Sequence, residues 1–182
     1  MSLLSLVAGI DESDFFHLSR LLILVSAFAG PKRIDSVEGI TKLAKLDFLL
    51  RYPEYLERAL RARHANSSLA DVKEFERNSV ESAMVRYKYG PWDFRYRRFL
   101  NLLVGKGLAH ISLDGRTVHI GITERGRELA TKLAETDEFT DIAERSRLLK
   151  SHFDLSATNL VKFIYQTFPE IGNLRYGTKI SQ

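Results

Sequence analysis

Apolar residues recur along most of this chain at helical spacing. Ser13 to Ala29, SDFFHLSRLLILVSAFA, is apolar nearly all round, with Ser13 placed to cap its start and Gly30-Pro31 to end it. A helix of that kind is either buried core or the seam of a dimer or partner interface. Lys42 to Arg51 sets Leu43, Leu46, Leu49 and Leu50 on one side, and the spacing predicts that Lys42 and Lys45 face away. Pro53 suits the first turn of a following helix, PEYLERALRARH, because the missing amide hydrogen has no partner to lose there. Ala65 to Leu69 reads as a polar loop. Asp71 to Tyr87 carries a further amphipathic element through Val72, Phe75, Val80, Ala83, Met84 and Tyr87, with strand expected before Gly90. Towards the end, Glu124 to Ala134, Phe139 to Phe153 and Ser156 to Phe168 read as helices, and Pro169 closes the last. The tail from Gly172 to Gln182 has weak periodicity and is expected to be mobile unless a partner orders it.

Between Arg86 and Arg127 the rhythm changes. Tyr89-Gly90-Pro91 is a break, and Asp93 or the Pro91-Trp92 pair can open a helix whose core stripe is Tyr96, Phe99, Leu100 and Leu103. Gly105 and Gly107 stop it. Two β-prone runs follow, Leu108 to Leu113 and Thr117 to Ile122, joined by Asp114-Gly115-Arg116, which predicts a tight hairpin because such turns need positive φ. Thr123 is the expected N-cap of the next helix. Helix, hairpin and helix in this order predict a mainly α fold with a small β-hairpin wing: a winged helix-turn-helix with additional N- and C-terminal helices. Along the chain this divides into an N-terminal helical region (1–78), a winged-helix core (79–135) and a C-terminal helical extension (136–182), read together as one compact unit.

Charge sharpens that picture. The 182 residues carry a net charge of +4, yet Arg86 to Arg127 holds nine basic residues against Asp93, Asp114 and Glu124, a local net of +6, leaving −2 for the rest. The positive charge therefore sits on the winged-helix stretch, where a nucleic-acid footprint would place it. Arg95, Arg97 and Arg98 are expected on the face of the first helix turned away from its core stripe, with Lys88, Lys106 and the wing-tip Arg116 flanking it. Guanidinium donors there suit phosphates and base edges of double-stranded DNA. They suit an acidic protein surface equally, or plain solvation, and the residue pattern leaves the three open. The aromatics Tyr87, Tyr89, Trp92, Phe94 and Tyr96 read as packing around the Gly-Pro break more readily than as a base-stacking platform.

The remaining chemistry is mostly exclusion. With no cysteine, disulfides and thiol catalysis are ruled out. His17, His64, His110, His119 and His152 offer no metal-ligand spacing, although His110 and His119 could face each other across the hairpin. No phosphate-cradling loop, nucleophile elbow or zinc-protease run is present, so neither an enzymatic activity nor a cofactor is expected. The longest apolar run, Leu21 to Gly30, is about half the roughly 20 residues that span a bilayer, and the N-terminus lacks a signal-peptide pattern. A cytoplasmic location without membrane contact is the expectation.

Thr41 to Leu60, TKLAKLDFLLRYPEYLERAL, followed by YGPWDFRYRRFLNLLVGKGLA and ITERGRELA, resembles the middle component of ABC-three-component systems. The LAKLDFLLRYP run is the most specific part of that resemblance, which covers roughly residues 15 to 170. It implies a winged-helix accessory subunit of an SMC/Rad50-like ATPase that acts with an effector subunit, as in Lamassu-type defence against phage and plasmids. The alternative is a stand-alone winged-helix transcription regulator, a homodimer joined through Ser13 to Ala29 and the C-terminal helices.

Overall fold

The computed structural model describes residues 12–29, 36–77 and 82–182. The cap expected at Ser13, the Gly30-Pro31 stop and the apolar position Val80 lie outside what it describes. Among the described residues the chain is mainly helical, with eight α-helices and two small sheets. It divides into two compact units, each assembled from two separate runs: residues 1–37 with 95–143, and residues 38–94 with 144–182. Such a partition cannot be read from periodicity along the chain.

The first unit is built on α1 (Glu12–Phe28), which is buried continuously from His17 to Val25. The choice left open for this helix is settled as core. It packs within its unit on α4 (Tyr96–Gly105), strand β5 (Thr117–Ile122) and α5 (Glu124–Ala134). Phe99, Leu100 and Leu103 from α4, Ile120 and Ile122 from β5 and Leu133 from α5 complete the apolar interior. Phe16 stacks on Phe139 with ring centroids 5.5 Å apart, just before α6 (Thr140–Phe153) begins. Strand β1 (Val37–Glu38) joins β5, and β5 pairs antiparallel with β4 (Ala109–Asp114), giving the order β1-β5-β4.

The second unit surrounds α2 (Ile40–Arg51), in which nine successive residues, Lys42 to Leu50, are buried. Two-sided burial corrects the expectation that its lysines face solvent. Lys42 Nζ reaches Asp154 at 2.8 Å. Lys45 Nζ, fully buried, donates to the Pro91 carbonyl at 2.9 Å and lies 5.9 Å from the Trp92 ring centroid. Desolvation pushes its pKa down to about 7. Helix α3 (Pro53–Ala62) starts on the proline, as its sequence demands, and Phe48, Tyr52, Tyr55 and Phe168 form an aromatic cluster beside it. Helices α7 (Ala157–Thr167, capped by Ser156) and α8 (Pro169–Asn173) close this side, so Pro169 ends one helix and begins another.

The described residues of Asp71 to Tyr87 (71–77 and 82–87) do not form an amphipathic helix. A 3-10 turn at Glu74–Glu76 leaves Phe75 exposed, and strand β2 (Val85–Tyr87) pairs with β3 (Gly90–Trp92). The cause is Arg145, whose buried guanidinium donates to Ala70 O at 2.8 Å and to both Glu76 carboxylate oxygens at 2.7 Å. It supplies the loop with partners that a helix would have to replace. Asp93, expected to open a helix, is buried and accepts from Arg51 Nη1 at 2.9 Å, with Asp47 at 3.4 Å on the same nitrogen. The helix begins three residues later.

The tail is likewise ordered. Ile180 is buried, its N–H donates to Met84 O at 2.9 Å, Arg86 N–H donates to Thr178 O at 2.9 Å, and Lys179 bridges Val85. Pairing of this kind needs only a few extended residues and leaves no periodicity to detect.

Candidate nucleic-acid interface

The candidate surface lies on the first unit and begins with how α4 ends. Gly107 takes φ +69°, a left-handed turn that glycine enters without steric cost, and Leu108 N–H returns to Leu103 O at 2.9 Å. Thr123 then ties two elements together. Its hydroxyl donates to Gly107 O at 2.7 Å and accepts from Gly126 N–H at 2.9 Å, so the N-cap of α5 also holds the α4–β4 turn. Gly126 sits so close to that turn that an added Cβ would fall 1.9 Å from Leu108 O. Helix, hairpin and following helix are thereby clamped at one point.

The hairpin closes at Asp114 opposite Thr117, with Gly115 and Arg116 as its two-residue loop. Only Gly115 has positive φ, at +59°, which matches a turn with glycine first and places Arg116 at the tip. This register opposes His110 to Gly121 and Ser112 to His119, so the two histidines do not face each other. His119 Nδ1 instead lies 2.9 Å from Ser36 Oγ.

The arginines of α4 divide. Arg97 is exposed, as expected of an outward face. Arg98 and Arg95 turn towards α1. Arg98 Nη1 donates to Asp14 Oδ1 at 3.0 Å and Nη2 to Asp14 Oδ2, while Arg95 Nη1 lies 3.4 Å from His17 Nε2. Their common side of the helix, read as solvent-facing from spacing alone, meets a polar end of α1 that contributes Asp14 and His17. Lys106 is half-buried and Arg116 exposed. Lys88 is exposed in the β2–β3 turn and belongs to the other unit. The unit therefore gathers five of the six candidate cations, of which Arg97, Arg98 and Arg116 are exposed, Arg98 with its guanidinium engaged by Asp14.

Asn101, one helical turn beyond Arg97, is exposed on the same side of α4 and was not singled out from sequence. The signal was its i+4 spacing from Arg97 on the polar face. Val104 continues that side, 40% exposed, and Ile111 and Leu113 on β4 are 40% and 73% exposed. Of the aromatic set, Tyr96 is buried in the first unit, whereas Tyr87 and Phe94 meet edge-on at 5.2 Å in the second.

Among the described residues no group of three or more His, Asp or Glu could hold a metal ion, and no helix is long and apolar enough to cross a membrane. Comparison of the chain with protein-family models, curated proteins and solved structures gives no match.

Proposed function

We propose that α1, β1, α4, the β4–β5 hairpin and α5 constitute a winged helix, and that the chain is a non-catalytic binding subunit that takes duplex DNA on the outer side of α4 and the wing tip. Leaving aside residues 39–94, which intervene in the chain, the order of elements supports the fold reading: helix, short strand, helix, hairpin and helix, with the short strand added beside the second hairpin strand. The observation that carries the binding reading is the exposed pair Arg97 and Arg116, one on the helix and one at the hairpin tip, flanked by Lys106 and Asn101. Arginine and asparagine are the side chains best matched to guanine and adenine edges, and a wing-tip cation suits a flanking phosphate. The resemblance supplies the wider setting, an SMC/Rad50-like ATPase and an effector subunit in defence against phage or plasmids.

The test is duplex binding across a salt series by the purified protein. Log affinity should fall linearly with log salt, and Arg97→Ala and Arg116→Ala should each flatten the slope by roughly one. Binding that neither substitution alters would overturn the assignment. Co-expression with an SMC/Rad50-like ATPase, if one is encoded beside this chain, tests the assembly: a complex stable on size exclusion supports the accessory role. A chain that stays apart from the ATPase and protects its own promoter supports the stand-alone regulator.

A further inference from the structure

Strand β4 is the outer strand of its sheet, and among the described residues nothing pairs with its free edge. Five of its six residues, His110 to Asp114, are exposed. Ladder geometry decides which backbone groups point outward. Thr123 N–H bonds Leu108 O at 3.1 Å, so the alternation of an antiparallel pair makes His110/Gly121, Ser112/His119 and Asp114/Thr117 the hydrogen-bonded pairs. The N–H and C=O groups of Ile111 and Leu113 therefore face the open side, under two exposed apolar side chains. An edge of this kind, with no proline, lysine or bulge to blunt it, is a template for another strand.

The sequence of that edge is complementary to itself. Laid antiparallel against a second copy with Ser112 opposite Ser112, it sets Ile111 against Leu113 twice and His110 against Asp114 twice. Ile111 and Leu113 then form hydrogen-bonded pairs through the outward groups just identified. The histidine–carboxylate pairs fall at the closer, non-hydrogen-bonded positions on the opposite face. Sliding the register by two residues one way opposes His110 to Arg116, and the other way opposes it to Ser112; either shift loses both histidine–carboxylate pairs. We infer that the open edge of β4 is a self-association surface, through which two copies of this chain pair antiparallel about Ser112 and join their sheets into one of six strands. A two-fold arrangement of this type needs only one patch per copy.

The absence of cysteine makes the test clean. Ser112→Cys places one thiol per chain at the two-fold position, where Cα atoms of a non-hydrogen-bonded pair lie about 4.5 Å apart, within disulfide reach. Mild oxidation should convert most of this variant into a disulfide-linked dimer on a non-reducing gel. Ser151→Cys, an exposed control on α6, should cross-link at the slow rate of random collision. Light scattering on the unmodified chain should show a concentration-dependent dimer. Leu113→Lys, at a site exposed enough to leave the fold intact by circular dichroism, should abolish both the dimer and, combined with Ser112→Cys, the cross-link. A monomer throughout, or a dimer that Leu113→Lys leaves intact and Ser112→Cys does not trap, would overturn the inference and point to a strand from another protein or to another surface.

Discussion

The guanidinium of Arg98 is chelated by the carboxylate of Asp14, which makes the basic helix α4 and the core helix α1 partners in a bidentate ion pair. Bidentate geometry adds directional energy, but the Arg98 side chain is 58% exposed and solvent screens the attraction. Arg98→Ala should therefore lower stability by about 1 kcal/mol in urea unfolding, and Asp14→Asn by a similar amount. Arg97→Ala removes no such partner and should stay within about 0.5 kcal/mol of the parent. The two substitutions should separate in the opposite sense on DNA, Arg97→Ala flattening the salt slope by roughly one and Arg98→Ala changing it less. Equal losses of slope with no loss of stability from Arg98→Ala would show that the pair opens to bind phosphate.

That division marks the limit of what sequence alone carries. Local rules placed the Thr123 cap, the Gly107 stop, the tight hairpin turn at Asp114-Gly115-Arg116 (one residue longer than the observed loop) and the proline start of α3, because each depends on one residue's backbone preference. They erred where a distant residue supplies the partner. Lys45 is spaced like a surface lysine yet ends beneath Trp92, with the Pro91 carbonyl as acceptor. Asp93 resembles a helix cap yet serves Arg51. Arg98 is exposed, as its spacing predicts, and Arg95 is half-buried, yet both also meet partners on α1, Asp14 and His17, which lie about eighty residues earlier. Asn101 was legible, being on the polar face one turn from Arg97, but an uncharged residue gives no signal in a charge count.

Tyr52 spans three segments through one oxygen. Its hydroxyl accepts from Met84 N–H at 2.8 Å and donates to Ile180 O at 2.9 Å, and burial pushes its pKa up to about 12. Tyr52→Phe keeps the ring packing and strands a buried donor and a buried acceptor, so it should cost about 1–3 kcal/mol. Removing residues 179–182 should cost more, since Ile180 is buried and buried isoleucine truncation alone costs about 2–5 kcal/mol. Denaturant midpoints of the two variants check the order. A tail deletion without effect would mean that the pairing with Met84 and Val85 adds nothing to stability.

Lys45 predicts a pH dependence with a definite sign. Its pKa falls from 10.5 to about 7 on folding because burial disfavours the ammonium, and the Pro91 carbonyl is a neutral acceptor that leaves the charge unbalanced. Between pH 7 and 10.5 the unfolded chain thus binds more protons at this site than the folded chain, and stability rises with pH across that window. Below pH 7 both states are protonated and the penalty is constant. The slope from this one group is at most about 1.4 kcal/mol per pH unit. Lys45→Met should flatten the rise and raise stability at neutral pH relative to the parent. Parallel curves for the two proteins between pH 7 and 9.5 would show that Lys45 keeps its proton when buried.

Two glycines of the hairpin region test whether close approach or flexibility sets the cost of a methyl group. At Gly126 an added Cβ would lie 1.9 Å from the Leu108 carbonyl oxygen, which is backbone already engaged by Thr123 N–H at 3.1 Å and cannot retreat without breaking the clamp between α4 and α5. At Gly121 the clash is with the His110 imidazole, 2.2 Å from Cε1, and that ring belongs to an exposed side chain free to rotate. Both glycines have ordinary φ, so the comparison isolates sterics from backbone strain. Gly126→Ala should cost about 2–3 kcal/mol or more, in the range of overpacking against a rigid neighbour, and Gly121→Ala about 1 kcal/mol or less. Because the clamp aims the hairpin relative to α4, Gly126→Ala should also weaken any DNA binding that needs Arg97 and Arg116 together, even at temperatures where the variant is fully folded. Gly121→Ala should leave it unchanged. Unfolding curves and binding isotherms on the same two proteins decide the matter, and equal behaviour of the pair would show that the α4–α5 clamp does not position the hairpin.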